Sequence, residues 1–283
     1  MNKNLLIAGD KIHPYPRICA HRGLRSAAPD NSLPAFGAAI ALGADEIELD
    51  VLPTKDGVLV SMHDRRLAKI SDGTGLEYEY NYEELLKLDF GVKYSEEYRG
   101  LRVLTFEEVL RKLGRSVIMN IHMKMWDVAI GEPDYEKVAA LIRKYGCEKH
   151  VYITSINLEH MDNFHKIAPE IERCYAFNCI KSDPYECIDA CARMGIGKIQ
   201  ISDPTREVIE YAHSKGIVVN IYYADDPEKA REYLDMGADV ILSNNILRIM
   251  PVVECKMQNA KITDNSVYRL QIKRTEIKSV LFV

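Results

Sequence analysis

The decisive stretch of the sequence is EIELDV at residues 46–51, followed after a short turn by GVLVSMHD at residues 57–64. Carboxylates and aliphatic residues alternate in its first part, and a period of two predicts a β-strand. Side chains two positions apart on a strand point to the same side, so Glu48 and Asp50 share one face. These two carboxylates need a partner that neutralises their charge. One possibility is a helix N-terminus or an Arg, and the other is a hard divalent cation such as Mg²⁺, Ca²⁺ or Mn²⁺.

Strands and helices alternate on both sides of this stretch. Strands are predicted over Arg17–Ala20, Glu46–Val51, Val58–Met62, Ser116–Ile121, His150–Thr154, Glu172–Phe177, Gly197–Ile201, Ile217–Ile221 and Asp239–Leu242. Helices are predicted over Ser32–Leu42, Thr105–Leu113, Tyr135–Tyr145, Leu158–Ile167, Pro184–Met194, Thr205–Ser214 and Pro227–Asp235. This order indicates an α/β protein with a mainly parallel sheet, and eight repeats in about 250 residues would close a (β/α)8 TIM barrel. Nine strands are predicted, whereas such a barrel has eight, so either Val58–Met62 belongs to an insertion or one predicted strand is wrong.

The chain is predicted to divide into a barrel domain, residues 1–250, and a C-terminal extension, residues 251–283. Within the barrel domain, residues from about 52 to 112 form a small inserted subdomain, because Ser71 to Gly100 is rich in Gly, Tyr and charge. The extension is predicted to be β, since apolar and polar residues alternate over Tyr268–Lys273. The chain ends on four apolar residues, Val280–Val283. Either the barrel or a second subunit would cover them, and the latter predicts a homo-oligomer formed through residues 251–283.

Composition narrows the class of protein. With 47% hydrophobic and 28% charged residues, the chain has enough apolar surface for a large core, which argues against disorder. Its net charge of −5 and the lack of a basic run argue against nucleic acid as a partner. No stretch has the length of a membrane span or a signal peptide, and the seven Cys are odd in number without a CxxC pair. We therefore expect a cytoplasmic protein without stable membrane insertion.

Polar residues suited to phosphate or metal chemistry stand at the ends of predicted strands. They come from four segments distant in the chain: His21, Arg22, Glu48, Asp50, His63, His122 and Lys124. In a barrel of this type the reactive groups gather at the carboxyl ends of the strands. A single His at a strand end is usually structural. Three of them beside two carboxylates, an Arg and a Lys indicate a functional site.

These residues lie in motifs that resemble those of glycerophosphodiester phosphodiesterases. The motifs are AHRG at 20–23, PDNS at 29–32, ELDV at 48–51, TKDG at 54–57, HD at 63–64, DGTG at 72–75, LDFG at 88–91 and the pair Asn120-Ile121 followed by Lys124. The resemblance covers the chain from Ile18 to Leu247. It implies a TIM barrel with a small insertion, and an enzyme that hydrolyses glycerophosphodiesters to glycerol 3-phosphate and an alcohol.

The resemblance also implies roles for individual residues. His21 and His63 would be the general acid–base pair, which suits the near-neutral pKa of imidazole. Glu48 and Asp50 would hold one divalent metal ion that acts as a Lewis acid on the phosphate. Substrate phosphate would be bound by Arg22 and Lys124, the first through its planar fork and the second as a point charge.

The sequence departs from the family pattern at His122, where the family usually has a Glu as third metal ligand. We expect His122 to remain a ligand. An imidazole makes the site less negative by one charge and favours Mn²⁺, Co²⁺ or Zn²⁺ over Mg²⁺ or Ca²⁺. Two further departures are Tyr222 or Tyr223 for a family Trp, and Ser243-Asn244 for a Thr-Asp pair. We expect both to line the pocket wall and to affect which alcohol is accepted.

Other functions stay open at this stage. A barrel impaired at His122 would bind a phosphorylated ligand without turnover, although two proton-transfer residues favour an enzyme. A lysophospholipase D-type enzyme would keep the chemistry and accept a lysophospholipid through an apolar groove at the barrel mouth. The nucleophile is either water or the 2-hydroxyl of the substrate, and proximity favours the hydroxyl.

Overall fold

Parallel strands form a closed barrel in the computed structural model, which describes residues 7–8, 11–12, 15–127 and 134–263. Within these ranges the barrel strands are β1 (Arg17–Ala20), β2 (Glu46–Pro53), β3 (Ile118–Met123), β4 (Val151–Ser155), β5 (Glu172–Asn178), β6 (Lys198–Ser202), β7 (Val218–Tyr222) and β8 (Val240–Ser243). Each strand pairs with the next in parallel register, and β8 pairs with β1. The predicted (β/α)8 TIM barrel is confirmed.

One longer helix follows each barrel strand. The helices are α1 (Leu33–Ala41), α2 (Phe106–Leu113), α3 (Tyr135–Lys144), α4 (Leu158–Ile167), α5 (Pro184–Arg193), α6 (Arg206–Ser214), α7 (Pro227–Met236) and α8 (Ile246–Thr263). Local sequence explains where several of them begin. At α2 the hydroxyl of Thr105 accepts the backbone N–H of Glu108, and the Glu108 carboxylate accepts the backbone N–H of Thr105, both at 3.1 Å.

The hydrophobic core lies between the strands and the helices. On β2 the residues that alternate with the carboxylates, Ile47, Leu49 and Val51, are fully buried in a core that includes Phe36 of α1 and Phe106 of α2. The other face of β2 points into the barrel and carries its carboxylates. The alternation therefore separates an apolar outer face from a polar inner face.

The insertion is a small subdomain with its own apolar cluster. Strand Leu59–Ser61 pairs antiparallel with β2, and strand Leu104–Thr105 pairs antiparallel with Leu59–Ser61. Short helices lie at Leu67–Lys69, Glu77–Glu79, Tyr82–Leu85 and Glu96–Tyr98, around a cluster that contains Leu52, Val60, Met62, Leu67, Leu85 and Val103. The extra predicted strand, Val58–Met62, therefore belongs to the insertion. Outside the barrel, Ile7–Ala8 pairs with Lys11–Ile12, and a short helix follows β3 at Lys124–Asp127.

The C-terminal end of the barrel differs from the sequence prediction. Helix α8 continues through Pro251 to Thr263, so residues 251–263 are helical rather than β, and the predicted boundary at residue 250 falls inside a helix. The alternating segment Tyr268–Lys273, which predicted β structure, lies outside the described residues. The predicted homo-oligomer through residues 251–283 stays a prediction. In the described ranges no helix has both the length and the apolar character needed to cross a bilayer.

Candidate active site

The carboxyl ends of β2 and β3 bring three candidate metal ligands together. The parallel register sets Asp50 of β2 opposite His122 of β3. Ligand atoms of Glu48, Asp50 and His122 all lie within 4.8 Å of one another. Both carboxylates are buried, with 2% and 1% of the residue exposed. Two carboxylate oxygens and an imidazole nitrogen are a donor set that binds divalent cations.

Asp50 is held firmly through one carboxylate oxygen, whereas the other has no donor in the part of the chain that the structure describes. Its Oδ2 accepts a hydrogen bond from Asn31 Nδ2 at 3.0 Å and lies 3.2 Å from Nε of Arg22. Its Oδ1 is buried and accepts no hydrogen bond from the described residues. Nδ1 of His122 lies 3.8 Å from this oxygen, and Nζ of Lys124 lies 3.9 Å from it. A buried carboxylate oxygen without a donor is costly unless a ligand satisfies it, so this atom fits a metal ion.

The two carboxylates have opposite pKa shifts. Burial, followed by the charge of Asp50, raises the pKa of Glu48 well above its ordinary value. Burial also acts to raise the pKa of Asp50, but Arg22 and then His122 outweigh it, and the pKa of Asp50 is lowered. A cation between the two would favour the charged form of both. The chain thus concentrates negative charge at a buried point that a divalent ion would stabilise.

His21 is held in one tautomer by a short relay of side chains. Its Nδ1 lies 2.6 Å from Oδ1 of Asn244. The Asn244 amide group donates to Oδ2 of Asp225 at 2.8 Å, and its backbone N–H donates to Oδ1 of Asp225 at 2.7 Å. Because this carboxylate engages the NH₂ group, the amide oxygen faces His21 and Nδ1 carries the proton. Nε2 is then the acceptor, and it lies 3.8 Å from Oε2 of Glu48.

Burial and the neighbouring Arg22 lower the pKa of His21 to about 4. The imidazole is therefore neutral near pH 7, with the lone pair of Nε2 directed to the carboxylate side of the site. An edge-to-face contact with Tyr222, with ring centroids 5.7 Å apart, covers the ring. The surroundings of His21 therefore suit a residue that accepts a proton at Nε2.

His63 comes from the insertion side of the site. About a third of its side chain is exposed, and Nδ1 lies 3.8 Å from a carboxylate oxygen of Asp64. Burial lowers its pKa, with Arg22 and Lys124 adding to the effect and Asp50 opposing it. Each predicted acid–base residue is therefore near one of the two carboxylates. Nε2 of His21 lies 3.8 Å from Glu48, and the charge of Asp50 acts on His63.

Arg22 connects most of these groups. Its backbone N–H donates to Oε2 of Glu48 at 3.1 Å, and its guanidinium donates to Oδ2 of Asp30 at 3.3 Å. Its φ of 57° is in the left-handed region, which a non-glycine residue adopts only where its surroundings hold it there. The next residue, Gly23, tolerates no side chain, because a Cβ would lie 2.6 Å from the backbone of Ala35. The chain at this turn is held so that the cation of Arg22 faces Asp50.

Sequence reasoning missed three residues of the site. Asn31 lies in the PDNS motif, and besides its bond to Asp50 it accepts the backbone N–H of that residue at 3.0 Å. Asn244, which is expected on the pocket wall, contacts Nδ1 of His21 at 2.6 Å. Asp225 carried no sequence signal beyond its place soon after β7. All three contacts join residues that lie on or after neighbouring strands: β1 with β2, β8 with β1, and β7 with β8.

The fold and the site together define a barrel hydrolase that acts on phosphoric diesters. Residues 21–248 match the Glycerophosphoryl diester phosphodiesterase family, and the chain belongs to that family. A glycerophosphodiester phosphodiesterase of Caldanaerobacter subterraneus is 29% identical over 229 residues, which cover 81% of this chain and 93% of that protein. One from Bacillus altitudinis is 29% identical over 81% of this chain and 94% of its own length.

Solved structures show the same fold. The crystal structure of a glycerophosphodiester phosphodiesterase from Agrobacterium tumefaciens has a TM-score of 0.71 at 28% identity, covering 83% of this chain and 99% of that one. A structure from Silicibacter pomeroyi has a TM-score of 0.77 at 23% identity, covering 86% and 94%. The predicted family, fold and enzyme class are confirmed.

Proposed function

We propose that the protein hydrolyses glycerophosphodiesters to glycerol 3-phosphate and an alcohol with the help of one bound divalent metal ion and two histidines. The observation that carries this proposal is the convergence of Glu48, Asp50 and His122 beside a His21 whose free nitrogen faces them. A site that only bound a phosphorylated ligand would have no need of a buried imidazole held in one tautomer.

The residues present fit a metal ion. Glu48, Asp50 and His122 would hold it, with the donor-free oxygen of Asp50 as one ligand atom. Such an ion supplies Lewis-acid polarisation of the phosphate oxygens. Mg²⁺, Ca²⁺ and Mn²⁺ suit the two carboxylates, and the imidazole adds preference for Mn²⁺, Co²⁺ or Zn²⁺.

The histidines divide the proton transfers. His21, unprotonated at Nε2, takes the proton of the attacking hydroxyl, whether this belongs to water or is the 2-hydroxyl of the substrate glycerol. His63 gives a proton to the leaving alkoxide, and a bound phosphodiester anion raises its pKa towards the range where it carries that proton. Arg22 and Lys124 neutralise the non-bridging oxygens. Asn244 and Asp225 keep Nδ1 of His21 protonated and so keep Nε2 free.

A lysophospholipid is the second candidate substrate. Exposed apolar side chains follow the carboxyl ends of several barrel strands: Ile156 after β4, Ile180 after β5, and Tyr222 with Tyr223 at the end of β7. An acyl chain lying across this rim would gain burial in proportion to its apolar area. The same phosphate chemistry would then operate on a larger diester.

The test is an assay for release of glycerol 3-phosphate from glycerophosphodiesters and of lysophosphatidic acid from a lysophospholipid. Purified protein is incubated with glycerophosphoglycerol, glycerophosphocholine and a lysophospholipid, each with Mg²⁺, Ca²⁺, Mn²⁺, Co²⁺ or Zn²⁺, and with EDTA as control. We expect metal-dependent release that His21→Ala reduces by about 1,000-fold. His213→Ala, at an exposed His on α6, is the matched control and should leave turnover unchanged. Ligand binding without turnover under every metal would make the protein a binding barrel.

A further inference from the structure

A cavity of about 260 Å³ lies between the barrel and the insertion. We call it the insertion cavity. Ionisable side chains line it from three segments: Arg25 and Asp30 after β1, His63, Asp64 and Lys69 after strand Leu59–Ser61, and Lys93 and Arg102 from the far part of the insertion. Its apolar lining includes Met62, Phe90 and Leu104. The volume is below the range of roughly 300–1,000 Å³ typical of pockets for drug-sized ligands.

The insertion cavity shares two lining residues with the candidate active site. His63, which we assign to the leaving alkoxide, is part of its wall. Asn31 lines it too, and the same side chain donates to Asp50 at 3.0 Å. A diester whose phosphate lies against Arg22 and Lys124 would therefore direct its leaving group past His63 into this cavity.

The charges of the cavity do not cancel. Its two carboxylates already have cationic partners, since Asp30 lies 3.0 Å from Arg25 and Asp64 lies 3.2 Å from Lys69. Lys93 and Arg102 form no ion pair within the described part of the chain, which leaves two positive charges on one concavity. A cleft lined by charge of one sign raises the local concentration of a ligand of the opposite sign.

The backbone that presents these two unpaired cations is already ordered. The carboxylate of Asp89 accepts the backbone N–H groups of Gly91 at 2.9 Å and Gly100 at 2.7 Å, which ties the two ends of the loop together. The hydroxyl of Tyr98 donates to the backbone oxygen of Ala27 at 2.6 Å, which ties the loop to the segment after β1. Binding there does not require the loop to be ordered first, and this lowers the entropic cost.

Resting on the phosphodiesterase function proposed above, we infer that the insertion cavity binds the leaving alcohol and that Lys93 and Arg102 select alcohols bearing an anionic group. A small polyol phosphate matches both the volume and the charge. A quaternary ammonium alcohol such as choline would meet two unpaired cations, although Phe90 and Tyr94 offer aromatic faces. An acyl chain is too large for this cavity.

The experiment compares three substrates whose leaving alcohols are cationic, neutral and anionic: glycerophosphocholine, glycerophosphoglycerol, and glycerophosphoglycerol with a terminal phosphate. The variant is the double substitution Lys93→Gln/Arg102→Gln. Its matched control is Lys55→Gln/Lys87→Gln, which removes the same net charge from exposed insertion residues outside the cavity. We expect the double variant to raise KM for the phosphorylated substrate by about tenfold for each cation removed, with kcat and the neutral substrate nearly unchanged.

Wild-type preference for glycerophosphocholine, or equal KM changes in the double variant and its control, would overturn the inference. The two proposals fail separately. Glycerol 3-phosphate release from glycerophosphoglycerol establishes the phosphodiesterase function whatever the selectivity. Titration calorimetry of the same three diesters with EDTA present measures their Kd values without turnover. An unchanged ratio of Kd values between the phosphorylated and choline diesters in the double variant also contradicts the role of the cavity.

Discussion

Strand β2 carries carboxylates at both ends of the barrel interior, and these carboxylates have different surroundings. At the amino end, Glu46 of β2 pairs with Arg17 at 3.0 Å and accepts the hydroxyl of Tyr152 at 2.7 Å, and all three side chains are fully buried. At the carboxyl end, Asp50 of the same strand keeps one oxygen without a donor among the described residues. On this strand the satisfied charge of Glu46 stabilises the barrel, whereas the Asp50 oxygen that lacks a donor among the described residues fits a ligand.

A layer of uncharged polar side chains separates the two ends. Asn120 donates to Gln200 at 2.8 Å and accepts the hydroxyl of Thr154 at 2.5 Å, and Asn220 donates to the same Gln200 oxygen at 3.2 Å. Amides and hydroxyls satisfy each other without net charge. Because these side chains carry no net charge, we expect mutations at the amino-end ion pair and at the carboxyl-end site to have separate effects.

The largest expected effect on activity is at the carboxyl end of the barrel. Asp50→Asn should lower kcat by about 1,000-fold, because it removes a proposed metal ligand and the negative charge opposite Arg22. The free energy of unfolding should change by less than about 1.5 kcal/mol, since relief of the repulsion with Glu48 offsets the lost ion pair. Steady-state kinetics and urea unfolding measure the two quantities. Activity within tenfold of wild type would contradict the assignment.

At the amino end of the barrel we expect a large effect on stability and a small effect on activity. Glu46→Gln should destabilise the fold by about 3 kcal/mol, because the fully buried Arg17 loses the charge of its carboxylate partner at 3.0 Å. Turnover by the folded fraction should stay within a few-fold of wild type. Urea unfolding followed by circular dichroism, with kinetics below the transition, tests both statements. A large loss of kcat in a fully folded variant would show that the two ends are coupled.

A smaller effect is expected from restoring the family residue at His122. His122→Glu adds one negative charge and should tighten Mg²⁺ and Ca²⁺ relative to Mn²⁺ by about tenfold. Metal content after dialysis and the metal concentration for half-maximal activity are the measurements. If content and preference both stay unchanged in the variant, His122 is not a ligand.

The smallest effect concerns pH at the outer surface of the amino end. The hydrogen bond to Asp239, at 2.9 Å, raises the pKa of His213. A pKa raised in the folded state stabilises the protein below the unfolded pKa of about 6.5, and the stabilisation is lost as pH rises through the folded pKa. His213→Gln should therefore lower Tm slightly at pH 5.5 and not at pH 9, with kcat unchanged. An equal Tm difference at both pH values would indicate a packing effect instead.

Much of this architecture could be predicted, and the failures have physical causes. Strand–helix alternation predicted the barrel because each repeat is local. Val58–Met62 had the pattern of a barrel strand, and only its antiparallel pairing with β2 shows that it belongs to the insertion. The contact between Asn244 and His21 joins residues 223 positions apart, and it exists because β8 closes onto β1. Helix α8, which runs to Thr263, packs against α7 and β1, and such tertiary packing is not visible in a local sequence pattern.

The sequence by itself determined that Glu46, Glu48 and Asp50 share one face of a strand, because a period of two is a property of the extended backbone. It did not distinguish the roles of the three carboxylates. Only the tertiary structure decided that Arg17 and Tyr152 meet Glu46, while Oδ1 of Asp50 has no donor among the described residues. Partners so distant in the chain are selected by the register between strands, which tertiary structure alone sets.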